Sequence, residues 1–326
     1  MDVSVLADEI IDGRRLTRED DLTGFIDCSP EELCRGADRI RAHFRGDKVD
    51  LCTIINGKSG KCSEDCKYCA QSCHNHTGIE EYAFLPAEQI VREALANERE
   101  GVDRFSIVTA GRRLSDSDFE KAIDAYQAMH RQCKLALCAS HGLLTSEQFR
   151  RLREAGVTGY HANIETSRRF FPYICTTHTY DDKIETIRRA QAAGLHVCSG
   201  GIIGMGETWE DRLDMAVSLS ELHVMSIPIN ALNPIPGTPL EGRAPLEEKD
   251  ILRTITFFRY LNPEADVRLA AGRSLLTGTG VKAFSGGASA TITGNMLTTT
   301  GSDIRSDREM LTAIGREIAP GADFRD

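Results

Sequence analysis

Residues 62 to 69 read C-S-E-D-C-K-Y-C, which sets Cys62, Cys66 and Cys69 in the pattern C-x3-C-x2-C. Three thiols on so short a loop cannot lie far apart. Thiolates are soft ligands that suit iron–sulfur clusters, zinc or copper(I). A structural zinc site takes four ligands, usually as two separated pairs, so three in one loop point elsewhere. They suit three irons of a cubane, with the fourth iron open to a ligand that is not protein. A zinc knuckle completed by Cys73 or His74 is the plainer alternative. A second stretch, Cys198 to Thr208, reads C-S-G-G-I-I-G-M-G-E-T. Its Gly200, Gly201, Gly204 and Gly206 would let backbone approach a ligand closely, although tight strand–helix packing also uses glycine. The spacing G-G-x-x-G-x-G is not the G-x-G-x-x-G of a dinucleotide site.

Both stretches need a frame. β-like runs occur at 49–56, 103–109, 134–140, 158–165, 196–200, 225–232, 266–271 and 288–293. Helical patterns lie between them, and several end in Gly, the usual C-terminal stop. Eight strands alternating with helices predict an α/β fold, a (β/α)8 TIM-type barrel over residues 49–300. A doubly wound open sheet has the same alternation. In a barrel the site lies where strands end and βα loops begin, and the three-cysteine loop follows the first run. Residues 1–48 predict a helical extension. Leu6, Ile10 and Ile11 give it an apolar face, and S-P-E-E-L-C from Ser29 to Cys34 carries an N-cap, a first-turn Pro and acids. Cys28 and Cys34 read as packing residues. A last helix at 302–318, with the tail to 326, is expected to pack on the barrel.

The chain has 326 residues, of which 41% are hydrophobic, enough for a sizeable core. No apolar run approaches the ~20 residues of a membrane span. The N-terminus carries acids where a signal peptide has bases, so a cytoplasmic protein is expected. In a reducing compartment, eleven cysteines suggest metal or redox use before disulfides. A net charge of −10 with scattered bases argues against nucleic acid as a partner.

The C-x3-C-x2-C loop, with Tyr68 before its last Cys, resembles the signature of the radical S-adenosylmethionine superfamily. More narrowly, the chain resembles the biotin synthases. The matching pieces are K-S-G-K-C-S-E-D-C-K-Y-C-A-Q-S (58–72), N-I-E-T-S (163–167), T-T-H-T-Y (176–180), V-C-S-G-G-I-I-G-M-G-E-T (197–208), P-I-N-A-L-N-P-I-P-G-T-P-L (228–240) and V-R-L-A-A-G-R (267–273). The resemblance implies a [4Fe–4S] cluster on Cys62, Cys66 and Cys69 whose open iron binds S-adenosylmethionine. One electron cleaves the sulfonium, and the resulting radical takes hydrogen from dethiobiotin. Sulfur from an auxiliary cluster deeper in the barrel then closes the ring of biotin. The cofactors do the hard chemistry, while the protein positions and encloses.

The same resemblance implies further roles. Tyr68 would lie beside the adenine, with Gly200, Gly201, Gly204, Gly206 and Glu207 lining the S-adenosylmethionine site. Asn163 and Glu165, alternate residues sharing a face, would bind ribose hydroxyls and substrate. Asn230 would hydrogen-bond the cyclic urea of dethiobiotin, since an amide offers both donor and acceptor. Strand-end capping is the simpler role for either Asn. A flavodoxin or ferredoxin as electron donor and a homodimer are also implied.

One departure stands out. The familiar biotin synthases hold the auxiliary cluster with three cysteines and an arginine. Cys138, Cys198 and Arg268 match, but the third cysteine position is Ser106 here. Cys52, on the first strand, stands where those enzymes have serine. We therefore expect Cys52, Cys138 and Cys198 to hold the auxiliary cluster, as a [2Fe–2S] centre or a four-iron type with an extra sulfide. Simple packing is the alternative for Cys52, and an interior ion pair for Arg268. Cys175 is a reserve ligand and Arg104 a possible neighbour, while Cys133 and Cys73 read as structural. His74, His76 and His178 have no assigned role. Two other functions stay open: a related radical enzyme with another substrate, and a zinc-stabilised scaffold without catalysis.

Overall fold

A computed structural model of the chain describes residues 1–299 and 301–319. Its strands are β1 Lys48–Lys58, β2 Arg104–Thr109, β3 Ala136–Ser140, β4 Val157–His161, β5 His196–Cys198, β6 Gly201–Ile203, β7 Ser226–Ala231, β8 Asp266–Leu269, β9 Ala290–Ile292 and β10 Glu317–Ile318. Hydrogen bonding runs β1-β2-β3-β4-β5-β7-β8-β9, and β9 pairs back onto β1. Every pairing is parallel, so the sheet closes into a barrel with helices outside it. The open-sheet alternative is thereby excluded. Each expected run supplies one stave.

The fifth stave is broken, which the run 196–200 does not suggest. Ser199 and Gly200 interrupt it between β5 and β6. The Gly200 N–H donates to Asn163 Oδ1 at 2.9 Å. A Cβ on Gly200 would lie 1.9 Å from the Pro228 carbonyl oxygen, and one on Gly201 2.3 Å from that of Glu165. Only glycine lets these backbones meet. The short β10 is also unforeseen; it adds to the outer end of β1, with Lys48 opposite Glu317. The helix expected at 302–318 spans Ile304–Ala313. Residues 320–326 of the expected tail lie outside the described residues.

Helices Val3–Ile11, Gly24–Asp27 and Pro30–Arg45 precede the barrel. Ser29 caps the last of these from its side chain, with Pro30 in the first turn. Phe25 packs on Tyr260 of the helix Glu248–Leu261, with ring centroids 5.3 Å apart. Arg253 of that helix donates to the Cys28 carbonyl at 3.0 Å, which fits a packing role for Cys28. No helix among the described residues is long and apolar enough to cross a membrane.

Alternation along each strand divides the molecule. Leu51, Phe105, Ile107, Leu137, Tyr160, Val197, Ile227 and Val267 face outward and join the core beneath the helices. The intervening residues face inward and are mostly polar or sulfur-bearing. Barrels of this type usually fill their interior with branched apolar side chains. Here the interior encloses a cavity of about 390 Å³.

Candidate active site

The cavity runs from the mouth of the barrel to its middle. At the mouth it is lined by Cys62, Tyr68, Cys69, Asn163 and Glu165; deeper, by Cys52, Arg104, Ser106, Cys138, His161, Cys198 and Arg268. Residues proposed for two sulfur-rich centres therefore border one chamber.

The mouth loop leaves β1 and folds back on itself. Cys62 N–H donates to Gln71 O at 3.0 Å, and Cys73 N–H to Cys62 O at 2.8 Å. Cys69 N–H closes a tight turn on Cys66 O at 3.1 Å, and the Asn75 amide ties the Cys66 and Cys69 carbonyls together. Burial pushes the Cys69 thiol up to about 11 and Cys62 up as well. The ligands of a single ion must crowd together, whereas thiolates capping separate irons stand apart. Among the described residues the one crowded set of metal-binding side chains is Cys66, Cys175 and His178. Neither Cys73 nor His74 belongs to it. Cys73 is exposed, and His74 Nε2 lies 3.1 Å from the Ser63 carbonyl. This counts against the zinc knuckle. His76 contributes its backbone N–H to Gly237 O at 3.0 Å.

Glu165 carries a left-handed backbone, φ 69°, rare for a residue with a side chain and a mark of functional sites. Its N–H donates to Gly200 O at 3.1 Å and its carbonyl accepts from Ile202 at 2.8 Å, so the broken fifth stave holds it. Tyr68 lies against it. Burial, with Cys66 and Glu165 nearby, keeps the Tyr68 phenol well above its ordinary range. Asn163 donates to Glu165 Oε2 at 3.3 Å. Asn230 lines the cavity, but its amide also caps strand ends. It donates to Gly201 O at 3.0 Å and accepts from Ala271 N at 3.1 Å. One N–H and one lone pair remain for a ligand.

The glycine stretch sits differently. Gly200, Gly201, Gly204, Gly206 and Glu207 do not line the cavity. The Glu207 carboxylate is turned inward and accepts from the N–H groups of Gly204, Met205 and Gly206 at 2.7, 2.8 and 3.1 Å. It also accepts from Arg212 Nε at 2.7 Å. This buried nest shapes the loop after β6, and it occupies the carboxylate that sequence reasoning assigned to a ligand.

Deeper in the chamber, Cys52 stands level with Arg104, and Ser106 with Cys138 on the neighbouring strand. Cys198 stands level with His161 on one side and Ser226 on the other. Burial pushes Cys52 up to about 11 and Cys138 up to about 12. Burial acts on Cys198 too, but the His161 imidazole, Arg268 and the Ser226 hydroxyl together outweigh it and bring the thiol down to about 7. The Ser226 hydroxyl donates to Cys198 Sγ at 3.4 Å. Beneath them the buried Asp50 carboxylate accepts from Arg104 Nη2 at 3.1 Å and from Arg268. Arg268 also donates to Ser226 Oγ at 3.4 Å and Thr291 O at 3.1 Å. The ion pair that was the alternative for Arg268 thus exists, inside the chamber. The Ser106 hydroxyl is buried with no hydrogen-bond partner among the described residues. Cys133 lies elsewhere, its thiol donating to Met129 O at 3.2 Å.

Sequence reasoning missed His161. It precedes Asn163 and Glu165 by the same two-residue step, so that alternation, carried back once, finds it. It also missed Asp50, two residues before Cys52, whose role depends on two arginines from other strands.

The comparisons agree with this geometry. Residues 57–219 match the model of the radical SAM superfamily. Residues 228–317 match that of the biotin and thiamin synthesis associated domain. The chain is 60% identical over 315 residues to a biotin synthase of Alkaliphilus metalliredigens, covering 97% of this chain and 99% of that protein. It is 59% identical over 313 residues to one of Clostridium beijerinckii, covering 96% and 99%. Among solved structures, methylornithine synthase superposes with a TM-score of 0.83 at 22% identity, covering 98% of both chains. The hydrogenase maturase HydG of Carboxydothermus hydrogenoformans gives 0.83 at 15% identity, over 99% of this chain and 81% of that one. At those identities the structural likeness speaks for the fold alone. The sequence relationship extends over nearly the whole length of both proteins, and on that ground the chain belongs to the biotin synthase family of the radical S-adenosylmethionine superfamily.

Proposed function

We propose that this chain inserts sulfur into dethiobiotin to form biotin. Cys62, Cys66 and Cys69 hold the [4Fe–4S] cluster, and Cys52, Cys138 and Cys198 hold the auxiliary cluster. The observation that carries this reading is the single chamber, open at the barrel mouth, with thiols at its mouth and thiols at its middle. The donor sets fit: both are soft, and the deeper one surrounds an orphaned Ser106 hydroxyl where an apolar barrel would have packed. When bound, the clusters and S-adenosylmethionine supply one-electron sulfonium cleavage and the sulfur atom.

The chain's own residues enclose and orient. Glu165 and Asn163 present a carboxylate and an amide to the hydroxyls of a ribose at the mouth. Tyr68 offers a ring face. Asn230, fixed at the end of β7, presents its free N–H and lone pair to a cyclic urea. Arg104 and Arg268, neutralised in part by Asp50, place positive charge beside the deep thiols and offset the anionic character of a cluster there. His161 donates toward Cys198 and favours its thiolate. The outward-facing apolar residues pack the barrel wall beneath the helices. A cytoplasmic setting, a flavodoxin or ferredoxin as reductant, and a homodimer complete the reading.

Anaerobic reconstitution with iron and sulfide, followed by single-turnover product analysis with dethiobiotin, tests it. Biotin is the expected product. Dethiobiotin consumed without biotin would favour a related radical enzyme with another substrate. Zinc in place of iron, with no absorption near the visible edge, would favour the scaffold. Glu165→Gln is expected to weaken S-adenosylmethionine binding by roughly 10- to 100-fold, the worth of hydrogen bonds to a charged group. Equilibrium binding to the cluster-loaded enzyme measures this. Unchanged affinity would remove Glu165 from the site.

A further inference from the structure

Cys66 does not face the chamber that Cys62 and Cys69 line. Its Sγ lies 3.8 Å from Cys175 Sγ. Cys175 Sγ in turn lies 3.3 Å from His178 Nδ1 and 3.8 Å from Nε2. All three ligand atoms fall within 4.8 Å of one another. For a tetrahedral ion with metal–sulfur bonds of about 2.3 Å and metal–nitrogen bonds of about 2.05 Å, the edges between ligands come to about 3.8 and 3.6 Å. The Cys66–Cys175 and Cys175–Nε2 separations match those edges.

The surroundings are built to hold it. Lys67 N–H donates to Ile174 O at 3.0 Å, and Asp65 accepts from Thr176 N–H at 2.8 Å. The mouth loop and the segment after β4 are therefore stitched together on both sides of the two cysteines. Cys175 and His178 are 3% and 7% exposed. Glu64 Oε2 lies 2.6 Å from His178 Nδ1 and accepts from Thr177 Oγ1 at 2.9 Å. A carboxylate on Nδ1 fixes the tautomer that leaves Nε2 for a metal.

Building on the reading of Cys66 as a cluster ligand, we propose that the cluster-free chain binds one thiophilic divalent cation, ferrous iron or zinc, through Cys66, Cys175 and His178. Cys66 gives one sulfur to one site or to the other. The mononuclear site and the mouth cluster are therefore mutually exclusive, and assembly of the cluster draws Cys66 away from the ion. Both sulfurs bind as thiolates, and whatever protons they carry beforehand leave to solvent; no electron is transferred.

Cobalt(II) is the probe. The full-length chain, reduced and free of clusters, is titrated with cobalt(II) under argon. A tetrahedral cobalt spectrum with thiolate charge-transfer bands is expected, saturating at a single ion. It should be retained in Cys62→Ser and Cys69→Ser and lost in Cys175→Ser. Glu64→Gln, which changes the partner of His178 Nδ1 and leaves all three ligand atoms in place, should weaken binding by about 10- to 100-fold. Loss in Cys62→Ser and Cys69→Ser with retention in Cys175→Ser would place the ion on the three-cysteine loop and overturn the proposal. So would a spectrum without tetrahedral bands. Exclusivity is read separately: stoichiometric zinc should slow reconstitution of the mouth cluster in the unmodified chain, and less so in Cys175→Ser. Equal inhibition in both would overturn it. Failure of the unmodified chain to form any cluster would instead refute the reading of Cys66 as a cluster ligand, and the cobalt titration would stand apart from that result.

Discussion

Cys52→Ser is expected to lose the auxiliary iron and sulfide while keeping the mouth cluster. Biotin formation should stop while S-adenosylmethionine cleavage continues. The physical argument is ligand chemistry. A serine hydroxyl does not ionise near neutral pH, and an oxygen donor is a poor match to iron in a sulfide cluster. The Cys52 thiol, pushed up to about 11 by burial, is itself neutral until a metal displaces its proton. Arg104 and Arg268 make that displacement easier. Iron and sulfide analysis, with Mössbauer spectra of the loaded variant, should leave roughly the four irons of one cubane per chain. Unchanged auxiliary iron would show that Cys52 only packs. The double variant Cys52→Ser with Ser106→Cys sharpens the test. Position 106 stands level with Cys138 and its hydroxyl is buried without a partner. A thiol there should restore a three-sulfur set, recover the auxiliary iron and bring back a measurable fraction of product.

Cys69→Ser should give the opposite result. S-adenosylmethionine cleavage and biotin formation both fall to background, while the auxiliary iron remains. Cys69 lines the chamber mouth, its N–H closes the turn onto Cys66, and its thiol is pushed up to about 11. It therefore has the placement to cap one iron, and no neighbouring thiol lines the mouth on its side except Cys62. The measurement is cleavage of S-adenosylmethionine under strong reductant, together with iron per chain. Residual cleavage near the unmodified rate would move the radical source away from this loop. The two variants form a pair, since each removes one cluster and spares the other.

How far these residues could be read in advance follows from range. The eight strands were legible because alternation and helix stops are local, acting over a few residues. The parity that turns Cys52, Cys138 and Cys198 inward was legible for the same reason. The broken fifth stave was not, because it arises where Gly200 meets Pro228 and Asn163, contacts made across strands. Glu207 looked like a ligand residue on its motif; the nest of N–H groups that claims its carboxylate depends on how the loop after β6 curls. Cys175 was legible only as a reserve ligand and His178 carried no assignment, because their partner Cys66 lies 109 residues from Cys175 in the chain.

Taken by itself, then, the amino-acid order determined the eight alternating strands and helices, the C-x3-C-x2-C loop after the first strand and the supply of inward thiols, since each depends on periodicity or short spacing. Tertiary structure decided which of those groups meet. Closure of β9 onto β1 sets the register of every stave, and register places Ser106 beside Cys138 and His161 beside Cys198. The stitching of two distant loops turns Cys66 toward Cys175 and His178 instead of the chamber. A side chain's type is a property of sequence, but its partner is fixed only when the ring of strands closes.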